Sequence, residues 1–271
     1  MLLTVFHAGS VKRIVALLAA DFEASHPGVS VRLVSGGSVD LARRLYAGEP
    51  ADVFISADCA VLRELSPKIV AGHSPFAGNR MVLAYRPDSR GAGTVSADNW
   101  HRILRQPEVC FAHSDPDGDP GGYRTLLVWK LAESHYGQPG LCESLVRAPG
   151  RRVYSGPTMA AIHEDFRTGR FDYAFFYAST ARQRGLAHVA LPPQVDLSDP
   201  GRSDLYARAR LTVKGVSGEA VRVGEPVVFG AAVVSASADP ALGSAFVALL
   251  LNPNTSALLA EAGFAPLSKG N

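Results

Sequence analysis

Apolar positions along the chain follow two alternating periods. Short continuous or alternating apolar runs at residues 2–6, 29–34, 53–56, 81–85, 109–112, 173–177, 188–191 and 227–234 predict strands. Between them, residues 11–25, 39–47, 60–65, 124–136, 159–167, 240–251 and 256–262 carry apolar side chains at helical spacing. Val11, Ile14, Val15, Leu18 and Phe22 of the first such stretch fall on one face. Strands and helices in alternation predict an α/β fold with largely parallel sheets, and open sheets of that kind take ligands at the carboxyl ends of their strands.

Two of the predicted strand ends carry the same chemistry. His7-Ala8-Gly9-Ser10 closes the first apolar run and opens the first helical pattern, and Ser35-Gly36-Gly37-Ser38 does the same for the second. The first N–H groups of a helix lack internal partners and sit at the positive end of its dipole. Glycine permits close approach and a serine hydroxyl adds a donor, so each turn is a candidate anion socket. The structural alternative is that each serine simply caps its own helix. Tyr154-Ser155-Gly156-Pro157-Thr158 is a third turn of this kind, with Pro157 suited to a first helical turn.

A length of 271 residues allows one large domain or two ordinary ones. Residues 75–79 and 88–98 flank the run at 81–85, and 192–202 is rich in Pro, Asp, Ser and Gly. These loosenings predict two lobes, one from residues 1–80 plus 190–271 and one from the inserted residues 81–189. Hydrophobic residues make up 47% and charged ones 19%, the balance of a globular chain, and a formal charge of +2 gives no footing for nucleic acid. No apolar run is long enough to span a bilayer. Met1 leads directly into the first strand, which fits either a cytosolic protein or a mature form lacking its leader. Cys59, Cys110 and Cys142 are odd in number and widely spaced, so free thiols are expected, with one disulfide as the alternative.

The loop from Asp115 to Arg124 has calcium-like Asp-x-Asp-x-Asp spacing, but Pro120 and Leu126 stand where an EF-hand needs glycine and glutamate. Asp119 then reads as the N-cap of the following helix, or as a group facing an anion or metal. Tyr173 and Tyr177 end a buried strand, as core residues or with a hydroxyl toward a ligand. No nucleophile elbow, Walker loop or dinucleotide fingerprint is present, and the histidines form no ligand-spaced pair.

Taken in order, Phe6-His7-Ala8-Gly9-Ser10, Gly37-Ser38 with Ala42-Arg43, Ala51-Asp52-Val53, Ser56-Ala57-Asp58, residues 79–85, Asp119-Pro120-x-Gly122-Tyr123-Arg124 and Asp172-Tyr173-Ala174-Phe175 with Tyr177 and Ser179 resemble the molybdate/tungstate-binding proteins of ABC importers, especially their archaeal-type branch. The match resumes at Gln183-x-Gly185-Leu186 and Leu191-Pro192. The resemblance implies a two-lobe periplasmic-binding-protein type II fold with a ligand cleft between lobes, and an extracytoplasmic monomer that serves a membrane permease. It implies no cofactor and no catalysis. Carried over by position, Ser10 and Ser38 bind oxygens from the first lobe. Asp119, Tyr123 and Tyr173 or Tyr177 serve from the second, and Thr158 or Met159 offers a backbone N–H. That branch is associated with two carboxylates that expand the metal to six-coordination. Asp119 matches one, making it a candidate metal ligand, but Phe176 stands at the place of the other. A tetrahedral anion held by hydrogen bonds fits the chain better, and sulfate, thiosulfate or phosphate are alternative guests. The remaining rivals are a ligand-sensing effector lobe and a small-molecule enzyme with a Ser10 nucleophile beside His7.

Overall fold

The computed structural model describes residues 1–267. Its strands, in chain order, are β1 (Leu2–Ala8), β2 (Ser30–Gly36), β3 (Val53–Ser56), β4 (Ser74–Asn79), β5 (Met81–Tyr85), β6 (Phe111–Ser114), β7 (Arg151–Tyr154), β8 (Tyr173–Tyr177), β9 (Ala187–Ala190), β10 (Arg210–Lys214), β11 (Glu219–Val223) and β12 (Val227–Val233). The chain divides into two compact units. The first contains Met1–Gly78, Lys214–Glu219 and the described residues from Val227 on; the second contains Asn79–Val213 and Ala220–Pro226.

The first unit is built on a sheet in the order β2-β1-β3-β12-β4. β1 pairs in parallel with β2 (Ala8 opposite Gly36) and with β3 (His7 opposite Ile55). Val5, Phe6, Val53, Phe54, Ile55 and Phe229 are fully or almost fully buried. Ile14, Leu18 and Phe22 of the helix Lys12–Ser25 are buried too, and Phe22 meets Phe246 of the helix Pro240–Leu250 edge-on at 5.2 Å. Each such side chain contributes about 1.5–3 kcal/mol through burial.

The second unit holds a sheet in the order β7-β6-β8-β5-β9. Its core centres on the helix Pro120–His135, whose Leu127, Val128 and Trp129 are buried. Trp129 meets Phe111 and Phe175 edge-on at 5.9 and 5.6 Å, and Trp100 meets Phe175 at 5.7 Å.

Both sheets are mixed rather than largely parallel. β12 runs antiparallel to β3, and β5 runs antiparallel to β8 and β9. β5 and β12 are the first sheet strands after the chain passes from one unit to the other, so neither follows a helical crossover, the connection that enforces parallel pairing. The stretch at 75–79 is not a loop but strand β4, at the end of its sheet, where a proline such as Pro75 is tolerated. Residues 190–213, expected with the amino-terminal segment, pack in the second unit: Asp196 accepts from the Met81 N–H at 2.9 Å, and the buried Tyr206 donates to the Pro193 carbonyl at 2.6 Å.

Candidate functional site

In the first unit three strand ends lie side by side. Because β2, β1 and β3 are parallel neighbours, the turns after Gly36, Ala8 and Ser56 emerge at one edge. Gly9, Ser10 and Val11 form a short 3-10 turn before the first helix, and Ser38 is the first residue of the helix Ser38–Tyr46. A Cβ on Gly9 would sit 3.9 Å from the Ser35 hydroxyl, and Ser38 Oγ accepts from the Ala57 N–H at 3.0 Å, so each of the three turns touches another. Neither serine caps its own helix: Val11 and Gly37 hold the cap positions and no side-chain cap bond forms at either. The ordinary structural use of a serine in such a turn is therefore absent at both. Ser10 is half-buried and Ser38 is fully buried. Accepting from Ala57 leaves the Ser38 hydroxyl its hydrogen to donate.

In the second unit β6 is parallel to both β7 and β8, so Ser114, Tyr154 and Tyr177 end their strands at a common edge. Asp119 caps the helix Pro120–His135, its Oδ2 accepting from the Gly121 N–H at 3.1 Å and from Ser114 Oγ at 2.8 Å. A Cβ on Gly121 would lie 2.8 Å from Asp119 Oδ2, 3.1 Å from Ser114 Oγ and 3.9 Å from the Tyr177 ring, which puts these groups in one cluster. Gly122 lets the helix start pack against the end of β6, since a Cβ there would come within 2.4 Å of the Ser114 carbonyl oxygen. The next two residues carry the aromatic and cationic parts. Tyr123 is 1% exposed and lies under the guanidinium of the buried Arg222, 5.0 Å from its ring centroid. Arg124, 2% exposed, donates from Nη1 to the Tyr177 hydroxyl oxygen at 2.8 Å.

Five of the expected residues thus lie at strand carboxyl edges, Ser10 and Ser38 in the first unit and Asp119, Tyr123 and Tyr177 in the second. Tyr173 does not join them. It begins β8, at the opposite end from Tyr177, and its hydroxyl donates to the Arg90 carbonyl. Burial pushes that phenol up to about 12, so it stays protonated as a structural donor. The side chains of Thr158 and Met159 lie outside the described residues. Phe176 packs in the core beside Ile162, Phe166 and Phe171. Among the described residues no group of three or more His, Cys, Asp or Glu is arranged to hold a metal ion. His7 is 1% exposed with Nδ1 directed at the Ala8 carbonyl at 3.0 Å, and burial holds its pKa below the usual histidine range. Cys59, Cys110 and Cys142 are free thiols. Ser114 and Arg222 were not anticipated. Ser114 carries the same signal as the other turns, a hydroxyl where an apolar run ends, whereas Arg222 is remote in sequence and nothing local marks it.

A cavity of about 440 Å³ near Lys130, His135 and Arg208 lies toward the other end of the helix Pro120–His135, away from Asp119.

A family model described as bacterial extracellular solute-binding protein matches residues 3–265. The chain belongs to that family. This solute-binding protein is 35% identical over 267 residues to an uncharacterized solute-binding protein of Petrotoga mobilis, covering 96% of this chain and 82% of that one. It is 30% identical over 277 residues to the molybdate/tungstate-binding protein WtpA of Thermococcus kodakarensis, covering 92% and 77%. Among solved structures, the periplasmic molybdate-binding protein of Azotobacter vinelandii superposes with a TM-score of 0.70 over 98% of this chain and 100% of that one, at 19% identity. At that identity the likeness speaks to fold: the chain has the α/β fold of periplasmic binding proteins.

Proposed function

We propose that this solute-binding protein captures a tetrahedral oxyanion, molybdate or tungstate, outside the cytoplasm and delivers it unchanged to an ABC permease in the membrane. The observation that carries the proposal is the pair of turns Gly9-Ser10 and Gly37-Ser38, adjacent at one sheet edge, with neither hydroxyl used as a helix cap. The name of the Thermococcus relative supports molybdate or tungstate as the guest. Ser10 and Ser38 of the first unit act as donors, and Tyr123, Tyr177, the turn held by Asp119 and the segment at Thr158 act from the second.

The chemistry is that of a solvation shell. A dianion leaves water only if its hydrogen bonds are replaced, and hydroxyl and backbone N–H dipoles at strand-to-helix turns replace them without a cofactor. A fully deprotonated oxyanion needs donors only, whereas hydrogen phosphate also needs an acceptor. Asp119 would be that acceptor, yet Oδ2 already takes the Ser114 hydroxyl and the Gly121 N–H. With Phe176 where a second carboxylate would be needed for expanded coordination, the metal stays four-coordinate, and Asp119 shapes the turn rather than ligating it. The protein works as a monomer, without nucleic acid.

Calorimetric titration of the intact protein with molybdate, tungstate, sulfate, thiosulfate and phosphate tests the proposal. Tight binding of the first two is expected, and ligand at about a hundred times Kd raises stability by about 2.7 kcal/mol. Preference for sulfate, thiosulfate or phosphate would reassign the guest, and no binding of any oxyanion would end the proposal. Turnover of an ester panel lost in Ser10→Ala would instead favour the enzyme reading.

A further inference from the structure

The helix that follows Tyr177 begins differently from those at the two serine turns. It runs from Ala178 to Gln183, with Tyr177 at the cap position and no side-chain cap bond from it. The first N–H groups of a helix have no internal partner. Here the first two are taken up by the segment at which the chain enters the second unit. The Ala178 N–H donates to the Arg80 carbonyl at 2.9 Å, and the Ser179 N–H donates to Asn79 Oδ1 at 3.4 Å. Asn79 Oδ1 also accepts from the Arg80 N–H at 3.0 Å, while Nδ2 donates to Ser179 Oγ at 2.8 Å. Asn79 is the last residue of β4 and the first of the second unit; it is buried, as is Ser179. One amide thus engages both its own neighbour and the start of a helix a hundred residues away. Met81, two residues on, stands opposite Tyr177 in the antiparallel pairing of β5 with β8.

We infer that Asn79 is a positioning residue of the oxyanion site: by tying the entry segment of the second unit to the helix start after Tyr177, it sets where the Tyr177 hydroxyl stands. The inference rests on the oxyanion-binding proposal above and adds to it a residue that touches no ligand. An asparagine suits the place because its oxygen accepts from two N–H groups while its NH2 donates to a hydroxyl. Without that side chain the Ser179 N–H and hydroxyl lose their partner in a buried corner, and the helix start must shift to find another. Tyr177 is the residue before that helix and moves with it. Arg124 holds the other end of the same side chain, donating to the phenol oxygen at 2.8 Å, so the tyrosine is anchored at its tip and at its backbone. A displacement of about an ångström takes a hydrogen bond out of its working range.

The test is a double-mutant cycle read by calorimetric titration of the full chain with tungstate. Tyr177→Phe removes the hydroxyl and should weaken binding about tenfold or more, the effect of losing a hydrogen bond to a charged group. Asn79→Ala should weaken it about tenfold on its own, yet by less than about twofold when Tyr177 is already phenylalanine, because there is then no hydroxyl to misplace. Combined with Ser38→Ala in the first unit, the Asn79→Ala factor should be multiplied in full. A general loosening of the structure would carry the same factor into both backgrounds, so the contrast between them separates positioning from damage. If Asn79→Ala does not fold, Ser179→Ala removes only the hydroxyl that accepts from Nδ2, and the same cycle is run with about a threefold effect expected. Unchanged affinity in the variant used, or a factor that persists in the Tyr177→Phe background, would overturn the inference. So would a Tyr177→Phe protein that binds tungstate like wild type. Failure of the wild-type chain to bind any oxyanion would instead bring down the proposed function.

Discussion

Replacing Gly122 by alanine is a one-methyl change with a large expected consequence. Gly122 has no left-handed backbone requirement, so the effect is purely one of space. Its Cβ would lie 2.4 Å from the Ser114 carbonyl oxygen and 2.5 Å from both the Asp115 carbonyl carbon and the Pro116 nitrogen. All three are backbone atoms, which cannot swing aside as a side-chain tip can. Ordinary contact of carbon with oxygen begins near 3.2 Å, so the helix start must lift from the end of β6 by close to an ångström. Overpacking of a tight site typically costs about 1–3 kcal/mol, and a clash against backbone on three sides falls at or above the upper end. The same movement separates Gly121 and Asp119 from Ser114, so oxyanion affinity should fall along with stability. Gly72→Ala is the control, because nothing lies within 4 Å of its Cβ position and its φ is not in the left-handed range. It should be neutral, or stabilising by about 0.4–1 kcal/mol through the unfolded chain. Urea denaturation of the two unliganded variants provides the comparison. A Gly122→Ala midpoint equal to that of wild type would refute the claim that the helix start is seated against β6.

Three further outcomes are expected. Ser10→Ala and Ser38→Ala should each weaken oxyanion binding by about 1–3 kcal/mol by calorimetry; unchanged affinity in both would remove the serine turns from the site. Asp119→Asn can still cap its helix but lacks the negative charge, so affinity for tungstate should hold or rise, whereas a sharp fall would assign Asp119 to the metal. His113 sets a pH response. It is fully buried, its Nδ1 meets the Ser114 carbonyl at 2.6 Å, and Arg151 donates to Nε2 at 2.8 Å. Burial first, and the Arg151 charge second, bring its pKa down to about 3. The unfolded chain takes up this proton near pH 6.5 and the folded chain does not until about pH 3. Stability from this residue is therefore complete above pH 6.5 and is lost as pH falls toward 3, by up to about 1.4 kcal/mol per pH unit. Urea midpoints at pH 7.5 and 5.5 should differ in that direction, and a flat profile would contradict the buried neutral imidazole.

Residues 53–56, 81–85 and 173–177 are strands with the expected ends, because each is a continuous apolar run buried on both faces. The serine turns were legible for a related reason: a change of period followed by glycine and a hydroxyl marks where strand becomes helix. β7 was missed because Arg151-Arg152-Val153-Tyr154 is polar and largely exposed, with Val153 turned to solvent. The hairpin of β10 and β11 was missed too: Arg210, Thr212 and Lys214 are exposed on β10, and on β11 Glu219 and Val221 are exposed while the charged Arg222 takes the buried position, so no apolar alternation marks that strand. Tyr173 and Tyr177 are alike in sequence, and only strand direction separates them. In parallel register with β6, Tyr177 falls at the carboxyl edge and Tyr173 at the opposite one. Arg222 could not be found locally, since its relation to Tyr123 spans about a hundred residues and depends entirely on tertiary packing.

The most direct measurement is the anomalous difference map of crystals grown with tungstate. Hydrogen bonds of ordinary length to the oxygens of a tetrahedral anion place its metal about 4 Å from each donor oxygen. The account predicts a single tungsten peak at that distance from both Ser10 Oγ and Ser38 Oγ, with four oxygens around it. A peak beside neither serine, or an Asp119 oxygen bonded directly to the metal, would contradict it.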